Sequence, residues 1–442
     1  MEGINSLVSY LGGVVWGPYM LVLLLGTGVW LTLSLGFIQI RCLPRALKLI
    51  MKRDSSGKGE IPPLQALTTA MSATVGTGNI VGVATALAAG GPGAIFWMWV
   101  TAFFGMATKY AEAVLAVTYR KELEDGSTIG GPMYYISEGL KLKWLGAAFA
   151  IFGMFASFGI GSMVQCNAVA NSMNTAFNIP PIVTGVIVTA LTALVIIGGI
   201  TRIGRVTEKL VPFMAVLYFI LVMIIVIMNV DKLGGVIALI IESAFNPVAA
   251  TGGFAGSVVR DAMRYGVARG VFSNESGLGS APIAHAAAKT DNAVRQGLIA
   301  MTGTFFDTII LCTLTAFAIL LTGVWSSGAT GSELTGMAFV QSFGGIGDIL
   351  LAVTLAIFAY STIIGWSYYG EQCSKFLFGI KFSYFYKAIY CFSVFYGALW
   401  KTDFVWNVSD MFNGMMAVPN LIGLLGLSFV LMKVTKEKMK DV

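Results

Sequence analysis

Apolar runs of about twenty residues recur along the whole chain, and a helix of that length crosses the ~30 Å hydrocarbon core of a bilayer. In lipid each backbone N–H and C=O must find its partner within the protein. The chain is therefore expected to be an all-α polytopic membrane protein. Of its 442 residues 56% are hydrophobic and 11% charged, which leaves no room for a separate soluble domain. The N-terminus lacks the basic flank and cleavage site of a signal peptide, so the first apolar stretch is expected to be retained.

Eleven candidate spans start near Val14, Leu64, Gly93, Trp144, Pro181, Glu208, Gly235, Ala293, Gly347, Phe382 and Phe404. The linkers test that count. Basic residues follow the first span (Arg41, Arg45, Lys48, Lys52, Arg53, Lys58), the third (Arg120, Lys121, Lys141, Lys143) and the fifth (Arg202, Arg205, Lys209). They follow the seventh (Arg260, Arg264, Arg269, Lys289, Arg295), the ninth (Lys375, Lys381, Lys387) and the eleventh (Lys433, Lys436, Lys438, Lys440). With alternating spans, all but three of the 28 basic residues share one side; Lys232 and Lys401 face the other, and Lys109 lies within a span. The positive-inside rule then puts the N-terminus outside and the C-terminus in the cytoplasm, in the cell membrane. The net charge of +6 is an orientation signal, and no basic stripe with interleaved aromatics points to nucleic acid. No obligate protein partner is evident. The five cysteines form no CxxC pair, and the lone His285 is expected to be structural.

Residues 72–82 break the pattern inside the second span. Its centre carries Ser72, Thr74, Thr77, Asn79 and three glycines, Gly76, Gly78 and Gly82. Glycine at a two-residue spacing permits dihedrals that other residues avoid. Unwound backbone at membrane depth is tolerated only where it lines a cavity or is buried in protein. The stretch reads as a broken helix whose freed peptide groups bind something; a close helix–helix contact of small residues is the other reading.

A second interruption is expected in the seventh span, at residues 246–256. Pro247 removes a backbone donor and Gly252-Gly253 loosens the next turn. Paired interruptions in two halves point to the binding site of an inverted-repeat transporter. A rival position, Ser273-Asn274-Glu275-Ser276-Gly277-Leu278-Gly279, would bring Arg260, Arg264 and Arg269 into or beyond the bilayer, at roughly 2.5–3.5 kcal/mol each if at the centre of a span. On that ground the run is expected to be a cytoplasmic gate loop.

Gly90-Gly91-Pro92-Gly93-Ala94-Ile95-Phe96-Trp97 and the residues to Gly105 resemble a signature of the sodium:alanine (alanine/glycine:cation) symporter family. Gly270-Val271-Phe272-Ser273-Asn274-Glu275-Ser276-Gly277-Leu278-Gly279 is similar to a second hallmark. The resemblance covers the chain from about Leu64 to Leu431. It implies a leucine-transporter-like fold: one extra N-terminal helix with its basic linker (1–63), five-helix repeats at 64–230 and 235–433, and a tail at 434–442.

The resemblance also implies site residues. The N–H groups of Thr77 and Gly78, with Thr74 and Asn79 nearby, would hold a substrate carboxylate at a half-helix start. Carbonyls near Val248 and Ala249 would receive the ammonium, aided by Thr251; Gly252 and Gly253 would unwind the helix and Phe254 would wall the pocket. Sodium would be held by Ser72 and Val75 with Phe358, Ser361 and Thr362. Trp366 would face the substrate and limit it to alanine or glycine. Gln165 is expected either to touch substrate or to bond another helix. Asp307 would support the cation site or pair with a hydroxyl such as Thr304. A short amphipathic helix is expected over residues 332–343. One histidine, no HExxH, no Gly-x-Ser-x-Gly and no phosphate loop argue against an enzyme or an ATP-driven pump. The expected activity is sodium-coupled symport of small neutral amino acids by alternating access; proton coupling on the same fold is the alternative.

Overall fold

The computed structural model describes residues 2–52, 57–123, 126–246, 259–400 and 402–442. Among the described residues, six helices are long and apolar enough to cross a membrane: α1 (Tyr10–Ser34), α4 (Gly93–Thr118), α5 (Lys143–Phe177), α7 (Gly199–Met228), α11 (Ala293–Thr322) and α13 (Ile346–Phe378). Two bent pairs raise the number to eight. Helices α2 (Pro63–Thr74) and α3 (Gly78–Gly90) meet at 50°, and the stretch Trp406–Gly426 bends by 60° into Ser428–Asp441. Further helices include α6 (Pro181–Ile196), α8 (Leu233–Phe245), α9 (Val259–Asn274), α10 (Ala281–Ala286), α12 (Gly331–Phe343), α14 (Phe382–Leu399) and α15 (Thr402–Gly426). A two-residue hairpin, β1 (Lys121–Glu122) with β2 (Thr128–Ile129), follows α4.

Sequence punctuation sets these boundaries. Pro63 opens α2 and Pro181 opens α6, where a missing N–H costs nothing. Gly91, at φ 68°, turns the chain from α3 into α4. Close packing follows from small residues. A Cβ on Gly365 of α13 would lie 2.7 Å from Ala73 N of α2, and one on Gly266 of α9 would lie 2.3 Å from Ala94 O of α4. Apolar side chains left outside, such as Ile182, Leu194, Phe213, Ile227, Phe385 and Phe392, each 52–66% exposed, form a surface suited to lipid.

The bundle has two ends. One holds Trp16, Gly90 and Gly93, and the other holds Ile61, Arg120 and Lys289. This geometry corrects three expectations. First, the expected seventh span from Gly235 is α8, whose 13 residues reach only about 20 Å. It packs on the Trp16 end: Ser243 O would lie 2.3 Å from a Cβ on Gly93, and Trp97 Nε1 donates to Ala244 O. Second, α9 starts at that same end, with Ala262 against Gly90, and runs inward past Thr101, which meets Gly270. Its Arg260 and Arg264 therefore lie at the opposite end from Arg120. They are tolerated there because both side chains are exposed, while Arg269 pairs with Asp410 at 3.7 Å. Third, residues 273–280 are buried between α9 and α10 and form no solvent-facing loop; Ser273, Asn274 and Glu275 are at most 1% exposed. The residues expected to form the second break, Val248, Ala249, Thr251, Gly252, Gly253 and Phe254, lie outside the described residues. A smaller correction concerns Arg202, Arg205 and Lys209, which sit on the exposed face of the first turns of α7.

Candidate functional site

At Val75 the chain leaves the helix with extended dihedrals, φ −77° and ψ 95°, so its carbonyl and that of Ser72 point away from the helical ladder. They point at α13. Ser361 Oγ lies 3.2 Å from Ser72 O, 3.3 Å from Val75 O and 2.8 Å from Phe358 O. Thr362 Oγ1 lies 3.5 Å from Val75 O and 3.2 Å from Phe358 O. All five residues expected to hold sodium thus present oxygens to one point. Two hydroxyl protons face three carbonyls; Phe358 O already serves the backbone ladder of α13, while Gly76 N goes to Asn79 Oδ1 and Asn79 N to Gly76 O, which leaves Ser72 O and Val75 O without helical donors. Acceptors outnumber protons in a buried place, a surplus that a cation relieves.

The break itself is braced by Asn79. Its Oδ1 accepts from Gly76 N at 2.9 Å, and its Nδ2 donates to Asp307 O at 3.1 Å and Asp307 Oδ1 at 2.8 Å. Thr74 spends its hydroxyl on the carbonyls of Ala70 and Met71. Thr77 Oγ1 is buried and has no hydrogen-bond partner among the described residues, and so is Gln165 Oε1. Gln165 donates its Nε2 to Ile160 O, a carbonyl freed by the wide helical turn Ser157–Met163. Its oxygen faces the break, 3.5 Å from where a Cβ on Gly76 would stand. Asn167 and Asn171 are drawn elsewhere: Asn167 donates to Gly397 O and Trp400 O, and Asn171 to Asn167.

The run 273–280 is the second interruption, and it lies against the first. A Cβ on Gly78 would come 3.1 Å from Ser273 Cα. Glu275, Gly277 and Gly279 all have positive φ, so the helix cannot continue. Side chains take over its unpaired donors. Glu112 Oε1 of α4 accepts from Gly277 N and Gly279 N at 3.1 Å each, and Asn274 Oδ1 accepts from Ser276 N. Glu275 Oε1 accepts from Trp366 Nε1 at 2.8 Å, which fixes the indole over the break. Asp307 bridges both interruptions: Oδ1 takes Asn79, and Oδ2 takes Ser273 Oγ at 2.9 Å and Thr308 Oγ1 at 2.7 Å. Thr304 bonds Ser276 instead of Asp307. The sequence alone sets this run aside because of the arginines before it. The signal that identifies it is Gly277-Leu278-Gly279, the same Gly-x-Gly spacing as Gly76-Thr77-Gly78.

Beyond the site, the Arg120 end is shut. Ile61 pairs with Ala288 as a short parallel bridge, with Glu60 N donating to Ala287 O and Lys289 N to Ile61 O, both at 2.8 Å. The Arg120 guanidinium donates to Ala286 O, Ala288 O, Lys58 O and Thr290 O at 2.6–3.1 Å. Burial draws that guanidinium below its ordinary value against the opposing pull of Asp291 and Glu122, and it stays cationic. One side chain therefore ties the strap before α2 to the segment after α10. Helix α12 covers the other side of α3, with Thr335 Oγ1 donating to Ile80 O at 3.4 Å.

Residues 1–441 match the sodium:alanine symporter family. The sodium/alanine symporter AgcS of Methanococcus maripaludis is 52% identical over 441 residues, 98% of this chain and 96% of that protein. An uncharacterized transporter of Haemophilus influenzae is 52% identical over 437 residues, with 98% and 96% covered. Among solved structures, a manganese transporter of Eremococcus coleocola superposes with a TM-score of 0.55 at 15% identity, over 86% of this chain and 82% of that one, a likeness of fold alone.

Proposed function

The chain belongs to the sodium:alanine symporter family, and from that premise we propose that it imports alanine or glycine with sodium by alternating access. It is a multi-pass membrane transporter and not an enzyme. The proposed topology has eleven crossings, with the N-terminus outside and the C-terminus cytoplasmic. One extra helix precedes two inverted five-helix repeats. Each repeat opens on a broken span, α2 with α3 in the first and α9 with α10 in the second, so the second repeat starts at α9 and not near Gly235. In this reading the Arg120 end faces the cytoplasm and is the closed gate.

The observation that carries the proposal is the surplus of acceptors around Ser361 and Thr362. Sodium is the cation that uncharged oxygens suit, with no fixed carboxylate in the set. The amino acid sits beside it. Thr77 and Gly78 offer N–H groups to its carboxylate, Gln165 Oε1 receives its ammonium, and Trp366 bounds its side chain. Coupling is energetically sufficient: one charge moving down ~100 mV contributes about 2.3 kcal/mol and a tenfold ion gradient about 1.4 more, which together sustain roughly 500-fold accumulation for one ion per substrate.

The test is uptake of labelled alanine into proteoliposomes. Sodium replaced by potassium or choline should abolish accumulation, and Ser361→Ala should raise the sodium concentration needed for half-maximal uptake about tenfold or more. Accumulation that ignores sodium and follows an imposed pH gradient would overturn the sodium reading.

A further inference from the structure

The Arg120 end carries a charged surface apart from the central site. The last span bends by 60° near Leu427, and the helix Ser428–Lys438 then runs across that end. Three contacts trace its course. A Cβ on Gly139 would meet both Leu427 and Tyr119, Tyr110 Oη lies 2.9 Å from Thr435 Oγ1, and Asn292 Nδ2 donates to Lys438 O at 3.1 Å. Beside it lie the short helices Ile38–Arg41 and Leu43–Met51, whose Arg45 Nη1 reaches Met439 Sδ at 4.0 Å.

Both stretches bury one face and line the other with cations. Ala46 and Leu49 are buried on the first, Ser428 and Leu431 on the second. Arg41, Arg45, Lys48 and Lys52 are exposed, and so are Phe429, Lys433, Lys436 and Lys440. The two sets share one spacing, at intervals of four, three and four residues, so each forms a stripe along its helix. None of these seven cations pairs with a carboxylate among the described residues. The acids of residues 38–52 and 428–442 are Glu437 and Asp441 alone. Large apolar side chains stand among the cations: Ile40, Met51 and Phe429 are 59–82% exposed. Orientation of the chain during insertion asks only that basic residues gather on one side. Aligned stripes interspersed with apolar groups do more, because such a helix lies in the interface with its apolar groups in the acyl boundary and its cations on phosphates.

We propose that the two stripes form one seat for anionic phospholipids of the leaflet at the Arg120 end, and that the seated lipids brace this end shut. A free phosphate would meet the cations and leave Ile40, Met51 and Phe429 bare; a lipid covers both. The brace acts through the C-terminal helix. Lys438 Nζ donates to Asp291 O and Lys58 N to Asp291 Oδ1, both at 3.3 Å, so this helix touches the two segments that Arg120 joins.

Native mass spectrometry of the purified full chain, titrated with phosphatidylglycerol or phosphatidylcholine of the same acyl chains, tests the seat. Phosphatidylglycerol should bind about tenfold more tightly or better, and the triple variant Lys433→Gln, Lys436→Gln, Lys440→Gln should lose about fivefold per charge removed. Arginine at the same three exposed positions should keep the preference. Amide exchange in nanodiscs tests the brace. Residues 286–290 should exchange about tenfold more slowly in phosphatidylglycerol discs than in phosphatidylcholine discs, a difference absent from the triple glutamine variant. Inorganic phosphate added to phosphatidylcholine discs should not reproduce the slowing. Equal affinity for the two lipids, or a preference unchanged in the glutamine variant, overturns the seat; equal exchange in the two discs, or slowing by inorganic phosphate alone, overturns the brace. Neither stripe lines the central site, so the symporter reading stands or falls on its own test.

Discussion

Gly76 carries the heaviest constraint of any single residue at the site. A Cβ there would stand 2.2 Å from Thr362 Oγ1, so Gly76→Ala should push α13 from the break and reduce uptake at least a hundredfold. A circular-dichroism spectrum matching wild type would show that the loss is local. Trp366 is held by Glu275 and by the absence of a side chain on Gly161, where a Cβ would lie 2.4 Å from Trp366 Cβ. Trp366→Phe removes the indole donor and leaves a buried carboxylate oxygen unpaired, at a cost of about 1–3 kcal/mol. Its expected signature is a raised KM for alanine together with uptake of larger neutral amino acids. Asp307→Asn keeps an oxygen for Asn79 while its new amide donates to Ser273 and Thr308, whose hydroxyls accept as readily as they donate. Uptake should therefore fall but remain sodium-dependent; transfer of that dependence to protons would show that Asp307 carries the coupled charge.

Among the elements, the two interruptions work as a pair because Asp307 and Asn79 tie α3 and α9 on the Trp16 side of the break, while Arg120 ties the strap before α2 to the end of α10 on the other. Alternating access requires the second tie to open. Arg120→Ala removes four hydrogen bonds to carbonyls at once. Charge-assisted bonds contribute ~1.5–3 kcal/mol each and are not additive, so even a fraction of that sum shifts a two-state gate by orders of magnitude. Amide exchange at residues 286–290 should accelerate at least tenfold in the variant, with α11 unchanged. Exchange as slow as in wild type would mean that the Ile61 and Ala288 pairing alone shuts this end.

Over the whole molecule, sodium and alanine that bind only the folded chain should stabilise it, by about 2.7 kcal/mol at a hundred times the Kd of either. A melting temperature that rises with sodium in wild type and not in Ser361→Ala is the expected result. Helix positions and the first interruption are legible in the sequence, because length and glycine spacing are local signals; the set Ser72, Val75, Phe358, Ser361 and Thr362 comes from the family resemblance, with only its register fixed by the adjacent hydroxyls. The second interruption is not legible. Its arginines read as bare charges in lipid, and only the fold shows Arg269 beside Asp410 and α8 laid across the end of the bundle. Helix α5 and helix α11 each contain a wide turn, Ser157–Met163 and Phe305–Cys312, and α3 begins with another, Gly78–Gly82. Each such turn houses a surplus residue, and each residue of an α-helix subtends about 100°. Deleting that surplus residue would let the turn close into regular α-helix and leave the downstream face where it is, whereas a deletion elsewhere in these spans would spin everything beyond it by that angle and carry lipid-facing side chains into the interior. These three points are where the chain can best change its length by one.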